Sequence, residues 1–473
     1  MSGERSPAIK LIIVGGIGAL LMIPLFMVYA LLADRQHQAR IAQNSVTAAW
    51  AGPQAVAGPL LVIPYTSRAE YTDTVEGQSV SVLREKRAHL YLSPSVQKMD
   101  TSLDPEIRVR GRIHRTVVYE AAITGEARFA LPRDLDRLGI KPADLILDEA
   151  IVQLPISDPR GLQTDARVSV GGEPLDLRPG LGTPDSGTGV HAFWDWSEGA
   201  ELTLDFAYGL RGSSAFTLVP RGEETDLAVQ SSWPHPSFSG DFLPGEVDRE
   251  GEDAGFDAKW SISNLALGQS LVSAQPLGLP STNAVLSADE GYRASSPDGA
   301  RAATIRLMEP VDLYKRFERS IKYGFLFIGF TFLTFLMFDI VAGARVASAE
   351  YLLTGAGLVL FFVMLLAFAE IIGFGLAYLF ASAAIIGLLT AYSAAVLAGW
   401  RRAGFIAALL TGLYGVLYVL LNLEAWSLVI GSLLLFVALA AVMYATRSID
   451  WSKVGATPDG ESAAEPGEGL LPA

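Results

Sequence analysis

Apolar positions in this chain cluster in two places and alternate in a third. Leu11 to Ala33, "LIIVGGIGALLMIPLFMVYALLA", is an unbroken apolar run, and Tyr323 to Tyr444 is apolar almost throughout. Between them the pattern becomes short alternations of apolar and polar residues, punctuated by Gly and Pro. A spanning helix needs about 20 apolar residues, whereas a cleavable leader has an apolar core of only about 7–15. The first run therefore predicts a retained transmembrane anchor over 11–33. Pro24 frees the carbonyl of Leu20 and predicts a kink. Gly15, Gly16 and Gly18 offer a close-packing face to a neighbouring helix.

The second block divides at the short breaks "ARVASAEY", "GF", "GWRR" and "NLE". This predicts helices at about Tyr323–Gly343, Leu352–Ile372, Gly375–Ala398, Ala403–Leu421 and Trp426–Tyr444. Connections this short make neighbours antiparallel. Five spans plus the anchor put both termini on one side, and Lys and Arg in short loops decide which. An inside N-terminus places Arg5, Lys10, Arg345, Arg401, Arg402, Arg447 and Lys453 on the inner flanks and no basic residue around Gly373 or Glu424. The opposing cluster "YKRFERSIKY", with Lys315, Arg316, Arg319 and Lys322, closes a very long loop, and long loops translocate largely regardless of charge. It is expected to rest on anionic headgroups.

In the long loop, "IRVRGRIHRTVVYEAAITGEARFAL" alternates apolar and polar residues around Gly111 and Gly125. "ARVSVGGEPLDL" reads as a hairpin with Gly171 and Gly172 in the turn. "AELTLDFAYGLRGSSAFTLVP" gives two more strands. Helix signals are few: 34–51 continues the anchor, and "LPRDLDRLG" makes a turn or two. The fold class expected is an α+β membrane protein: cytoplasmic N-terminus 1–10, anchor 11–33, β-rich periplasmic domain 34–322, five-helix transmembrane bundle 323–446, and a cytoplasmic, disordered acidic tail 447–473.

Net charge is −14 and no basic stretch is dense enough for a phosphate backbone, so nucleic acid is not an expected partner. The chain has no cysteine, which excludes disulfides, thiol nucleophiles and iron–sulfur clusters. A domain of about 290 residues is large enough to be held by its own core. There is no Walker loop, Gly-x-Ser-x-Gly elbow or His-Glu-x-x-His, and none of His37, His89, His114, His191 and His235 pairs with another at metal-ligand spacing. Neither a metal nor a cofactor is expected.

Two constellations are candidates for function. The first is "SSWPHPSFSGDFLP", containing Trp233, Pro234, His235, Pro236, Ser237, Phe238, Asp241 and Phe242. Trp233 and His235 precede prolines and are pushed toward extended backbone, so the segment is stiff before folding. Its aromatics supply buried area for few rotors, Gly240 permits a turn, and Asp241 can accept backbone N–H bonds. A rigid structural plug is the first reading, a binding surface built on His235 and Asp241 the second, and general-base chemistry the third. The second constellation is Asp339 and Glu370, acids inside predicted spans. Each falls within about a turn of a predicted boundary, so each can reach the interface, bond a neighbouring helix, or handle protons. The paired Gly/Pro breaks and two-fold repeat that point to a secondary transporter are missing.

"AGPQAVAGPLLVIPY", "SSWPHPSFSGDFLP", "YLLTGAGLVLFFVMLLAFAEIIGF" and "TRSIDW", in this order from Gly52 to Trp451, resemble the CreD inner-membrane proteins. The resemblance implies a multi-pass Gram-negative inner-membrane protein under CreBC two-component control, linked to envelope integrity, β-lactam response and tolerance of E-group colicins, with no established enzymatic activity or ligand. It carries over to the residues from Trp233 to Phe242 named above and to Glu370, with Asp339 where the family can carry Glu. The acidic tail departs from it. The expected function is non-enzymatic: a periplasmic binding or sensing domain with the bilayer and an unknown periplasmic ligand or protein as partners. Ion- or proton-coupled transport through the bundle and a periplasmic hydrolase using His235 and Asp241 are the alternatives.

Overall fold

The apolar run of the anchor and the polar residues after it share one helix. In the computed structural model α1 spans Pro7–Trp50 and runs through Pro24. The structure describes residues 7–447, apart from 76–77, 111–113, 133–134, 185–186, 250, 252–253, 280–300, 308–312, 342–345, 397–398 and 423–426. Gly111, Arg345, Glu424, Lys453 and the tail lie outside the described residues.

Two compact units divide the chain, Met1–Gln38 with Val311–Ala473 and Ala39–Pro310. The second unit is built of strands, as its alternation predicts. In chain order they are β1 (Gln54–Ala57), β2 (Leu60–Val75), β3 (Gln78–Leu92), β4 (Val96–Arg110), β5 (His114–Phe129) and β6 (Ala150–Pro155). Next come β7 (Arg167–Val170), β8 (Glu173–Pro174), β9 (Arg178–Pro179), β10 (Gly189–Trp194), β11 (Leu202–Ser213) and β12 (Ala215–Val219). The last are β13 (Glu224–Ser231), β14 (Pro236–Gly240), β15 (Glu246–Asp248), β16 (Phe256–Ser263), β17 (Val272–Ser273) and β18 (Ala303–Leu307), with a single helical turn α2 (Asn264–Leu267) after β16.

They form three sheets, ordered β1-β12-β18-β14, β17-β3-β2-β6-β10-β9 and β15-β16-β13-β4-β5-β11-β7-β8. The predicted hairpin is β7–β8, with Gly171 and Gly172 at φ 57° and 89° in its turn. Most neighbours are antiparallel, but β1–β12 and β4–β13 are parallel and join segments far apart in sequence. Alternation decides which face is buried. Along β16, Phe256, Ala258, Trp260 and Ile262 point inward while Asp257, Lys259, Ser261 and Ser263 stay in solvent. Residues of all three sheets, Leu61, Tyr119, Phe206, Phe216, Trp260 and Ile305 among them, share one core.

In the other unit the helices are α3 (Leu313–Lys322), α4 (Gly324–Val341), α5 (Ser348–Ile372), α6 (Phe374–Val396), α7 (Trp400–Asn422) and α8 (Ser427–Thr446). Among the described residues, five helical stretches are long and apolar enough to cross a membrane: Ile9–Trp50, Tyr314–Met337, Ser348–Ile372, Phe374–Val396 and Trp400–Asn422. The fifth predicted C-terminal span is α8, an apolar helix of 20 residues. Gly373 turns α5 into α6 at φ 81°. A Cβ on Gly357 would stand 3.0 Å from Leu389, so these helices approach closely there.

Both boundaries differ from the sequence reading of 34–322, since the compact β-rich unit is Ala39–Pro310. The basic segment before Tyr323, assigned above to the β-rich domain, is α3 and belongs to the helical unit. The reason is its apolar stripe: Phe317 and Ile321 are buried in the helical core with Phe327 and Tyr414. The stripe is hidden in sequence by the Lys and Arg between its members.

Candidate functional site

The aromatic segment is a strand edge fastened on both flanks. Residues Pro236–Gly240 form β14 and pair with β18, Phe238 opposite Ile305 and Gly240 opposite Ala303. Trp233 is buried just before the strand. The Phe238 ring meets Phe256 and Trp260 edge-on at 5.6 and 6.0 Å, and Trp260 Nε1 donates to Phe242 O at 3.3 Å. Asp241 donates its N–H to Ala302 O (2.8 Å) while its Oδ2 accepts from Ala302 N (3.1 Å). Gly240 needs its φ of 99°, and a Cβ there would stand 2.4 Å from Ala302 O. Pro234, His235 and Ser237 are half-buried. The Asp241 carboxylate is thus committed to the backbone, and among the described residues no side chain hydrogen-bonds to His235.

The Gly-Pro-Gln…Gly-Pro stretch carries a role that the sequence reading did not assign. Gln54 is fully buried at the start of β1. Its Nε2 donates to Asp158 O (3.1 Å) and Arg211 O (2.8 Å), and its Oε1 accepts from Ser157 Oγ (3.1 Å) and Asp158 N (3.3 Å). All four bonding sites of the amide are used. Gln97 on β4 accepts from the N–H groups of Arg221 and Gly222, and a Cβ on Gly58 would collide with it. Tyr119 donates to Ala215 O at 2.8 Å, and burial pushes its phenol pKa upward. Next to Gln54, Arg160 grips Asp158 with Nε (2.9 Å) and Nη2 (2.7 Å), holding that carboxyl below its ordinary pKa. The amide and glycines were visible as residues, but nothing local says which distant backbone they serve.

A concave feature of the β-rich unit lies on the solvent face of the eight-stranded sheet. Residues in register across six strands form one row: Asp248, Asp257, Gln230, Ser102, Ala122 and Gly209. A depression of about 710 Å³ lies by Ser102, Asp104, Gln230, Asp248 and Asp257. A second, of about 400 Å³, shares Ser102 and Asp104 and reaches Glu120, Asp165, Arg167 and Gly209. Five acids and one base therefore border the trough. Among the described residues no group of three or more His, Asp or Glu is placed to hold a metal ion.

In the helical unit the two candidate acids, Asp339 and Glu370, are paired with cations of α1. Lys10 Nζ lies 3.0 Å from Asp339 Oδ1, whose side chain is only 2% exposed. Asp339 also accepts from the N–H of Val346 at 3.4 Å. Arg35 Nη1 lies 3.8 Å from Glu370 Oε2, and Tyr314 donates to Glu370 Oε1 at 3.4 Å. Lys10 and Arg35 are 25 positions apart on one helix, about 37 Å at 1.5 Å per residue, which exceeds the roughly 30 Å hydrocarbon core. The two pairs thus mark the two margins of the apolar band. Asp339 and Glu370 each sit in the last turn of their helices, α4 and α5. The sequence signal was available: a cation flanks each end of the α1 apolar run.

A lone leading helix, a strand-built unit carrying a concave sheet face, and a closing set of apolar helices define a multi-pass membrane protein with one large inserted domain. Residues 6–452 match the family described as Inner membrane protein CreD. The Inner membrane protein CreD of Escherichia coli (strain K12) is 32% identical over 440 residues, covering 91% of both chains. This chain belongs to the CreD family of inner membrane proteins. A crystal structure of a candidate nutrient-binding protein from Legionella pneumophila overlaps 49% of this chain and 74% of its own at 10% identity, with a TM-score of 0.24, too slight a likeness to argue from.

Proposed function

We propose that this protein is a non-enzymatic binding or sensing protein of the envelope, with its β-rich unit in the periplasm and both termini in the cytoplasm. The observation that carries the reading is the trough on the eight-stranded sheet: two adjoining depressions sharing Ser102 and Asp104 and bordered by acids. Such a face suits a cationic ligand, a basic peptide segment or an organic polyamine, held by charge and by contact with the exposed strands. Membership of the CreD family supports a role in envelope integrity and stress response under CreBC control. The Lys and Arg of the short loops support the orientation.

The chain lacks cysteine, so a single introduced thiol is a clean reporter. An Ala122→Cys variant in intact cells is expected to react with a membrane-impermeant maleimide once the outer membrane is permeabilised. Spermine or oligolysine is expected to slow that reaction, and Asp104→Asn with Asp257→Asn to remove the protection. Labelling only after the inner membrane is breached would overturn the orientation. Labelling untouched by either polycation would overturn the ligand class.

A further inference from the structure

We infer that the helical unit holds an anionic phospholipid at the end marked by Glu370, with the phosphate on the cations of α3 and the acyl chains along the start of α6. This site is independent of the trough.

Helix α3 has ten residues, of which Lys315, Arg316, Arg319 and Lys322 are basic and Glu318 alone is acidic. Phe317 is 0% exposed and Ile321 5%, which locks one face into the helical core. The cations are therefore confined to the other faces, where Lys315 and Lys322 are exposed. The Arg316 guanidinium carbon stands 6.0 Å from the Phe374 ring, so these charges adjoin the first residue of α6. Apolar side chains beside them are open: Ile371 is 78% exposed, Leu376 64% and Leu379 66%.

The depth of the two surfaces matches. Tyr314 on α3 reaches Glu370, and Gly324 just beyond α3 lies against Phe362. Glu370 and Phe362 are eight positions apart on α5, about 12 Å. Lys315 and Arg316 follow Tyr314 at the Glu370 end of this stretch, beside the exposed side chains that open α6. Water alone would solvate the first and leave the second wet; alkyl chains alone would do the reverse. A molecule with an anionic head and two alkyl chains satisfies both, and the bilayer supplies it. Lys and Arg stems lie along apolar surface while their heads reach the phosphate.

The full-length protein, delipidated and returned to nanodiscs of equal phosphatidylcholine and phosphatidylglycerol, then released for native mass spectrometry, should retain phosphatidylglycerol in preference. Each α3 charge removed should lower that preference about fivefold, the effect of one basic residue near an anionic surface. Lys315→Gln should therefore lose about fivefold and the Lys315→Gln, Arg316→Gln pair about 25-fold, while the charge-keeping Lys315→Arg, Arg316→Lys pair keeps the parent's preference. Equal retention of the two lipids by the parent would overturn the site. So would an unchanged preference in Lys315→Gln when the variant's circular dichroism matches the parent's.

Discussion

Replacing Lys10 by Met isolates one buried charge. The ammonium lies 3.0 Å from Asp339 Oδ1, with side-chain exposures of 27% and 2%. At an effective dielectric constant of 20, that separation corresponds to a gross attraction of about 5 kcal/mol. Taking the carboxylate out of water offsets much of it, and the part-exposed lysine is stabilised less than a buried one would be. Among the described residues, Lys10→Met leaves Asp339 with the 3.4 Å bond from Val346 N, and a loss of about 3 kcal/mol is expected, near the lower end for an orphaned buried ion. Asp339→Asn should cost less, about 1–2 kcal/mol, because Lys10 can reach water. The Lys10→Met, Asp339→Asn double variant should lie within about 1 kcal/mol of the parent. Unfolding by sodium dodecyl sulfate in mixed micelles gives the three differences and their coupling, expected at about 2 kcal/mol or more. Additive losses, within about 0.5 kcal/mol, would refute the view that this pair fastens α1 to α4.

Two further outcomes follow from the β-rich unit. Phe238→Ala should destabilise by about 3 kcal/mol in thermal unfolding, since it removes a ring packed on Phe256 and Trp260, whereas His235→Ala should stay within about 0.5 kcal/mol; equal losses would contradict the plug. Arg160 lowers the Asp158 pKa in the folded state, so the carboxylate adds stability above its unfolded pKa of about 3.9, and that contribution disappears as pH falls through the folded value. Asp158→Asn should therefore be less stable than the parent at pH 7, with the gap closing below about pH 4 in a pH series of melting temperatures.

Spans, hairpin and alternation were legible because each is a local pattern. The helix ends fell within a few residues of their predicted places, since apolar runs and the breaks between them are written directly in the chain. The α3 boundary was not, because four cations mask a two-residue apolar stripe. The sheet order was out of reach for a different reason: β4 pairs with β13 and β1 with β12, and no turn chemistry announces a partner more than a hundred residues away. The candidate sites divide the same way. Trp233 to Phe242 and the two acids stood out by residue type. The trough did not, because Ser102, Ala122 and Gly209 are unremarkable until register sets them side by side.

The position of β12 between β1 and β18 ties the start of the β-rich unit to its finish. That sheet is incomplete until Ala303–Leu307 has been synthesised and delivered. At about 5–20 residues per second, tens of seconds separate the emergence of Gln54 from that of its last companion. Throughout that interval β12 presents an unpaired edge where β18 will lie, and β14 has no neighbour in its sheet.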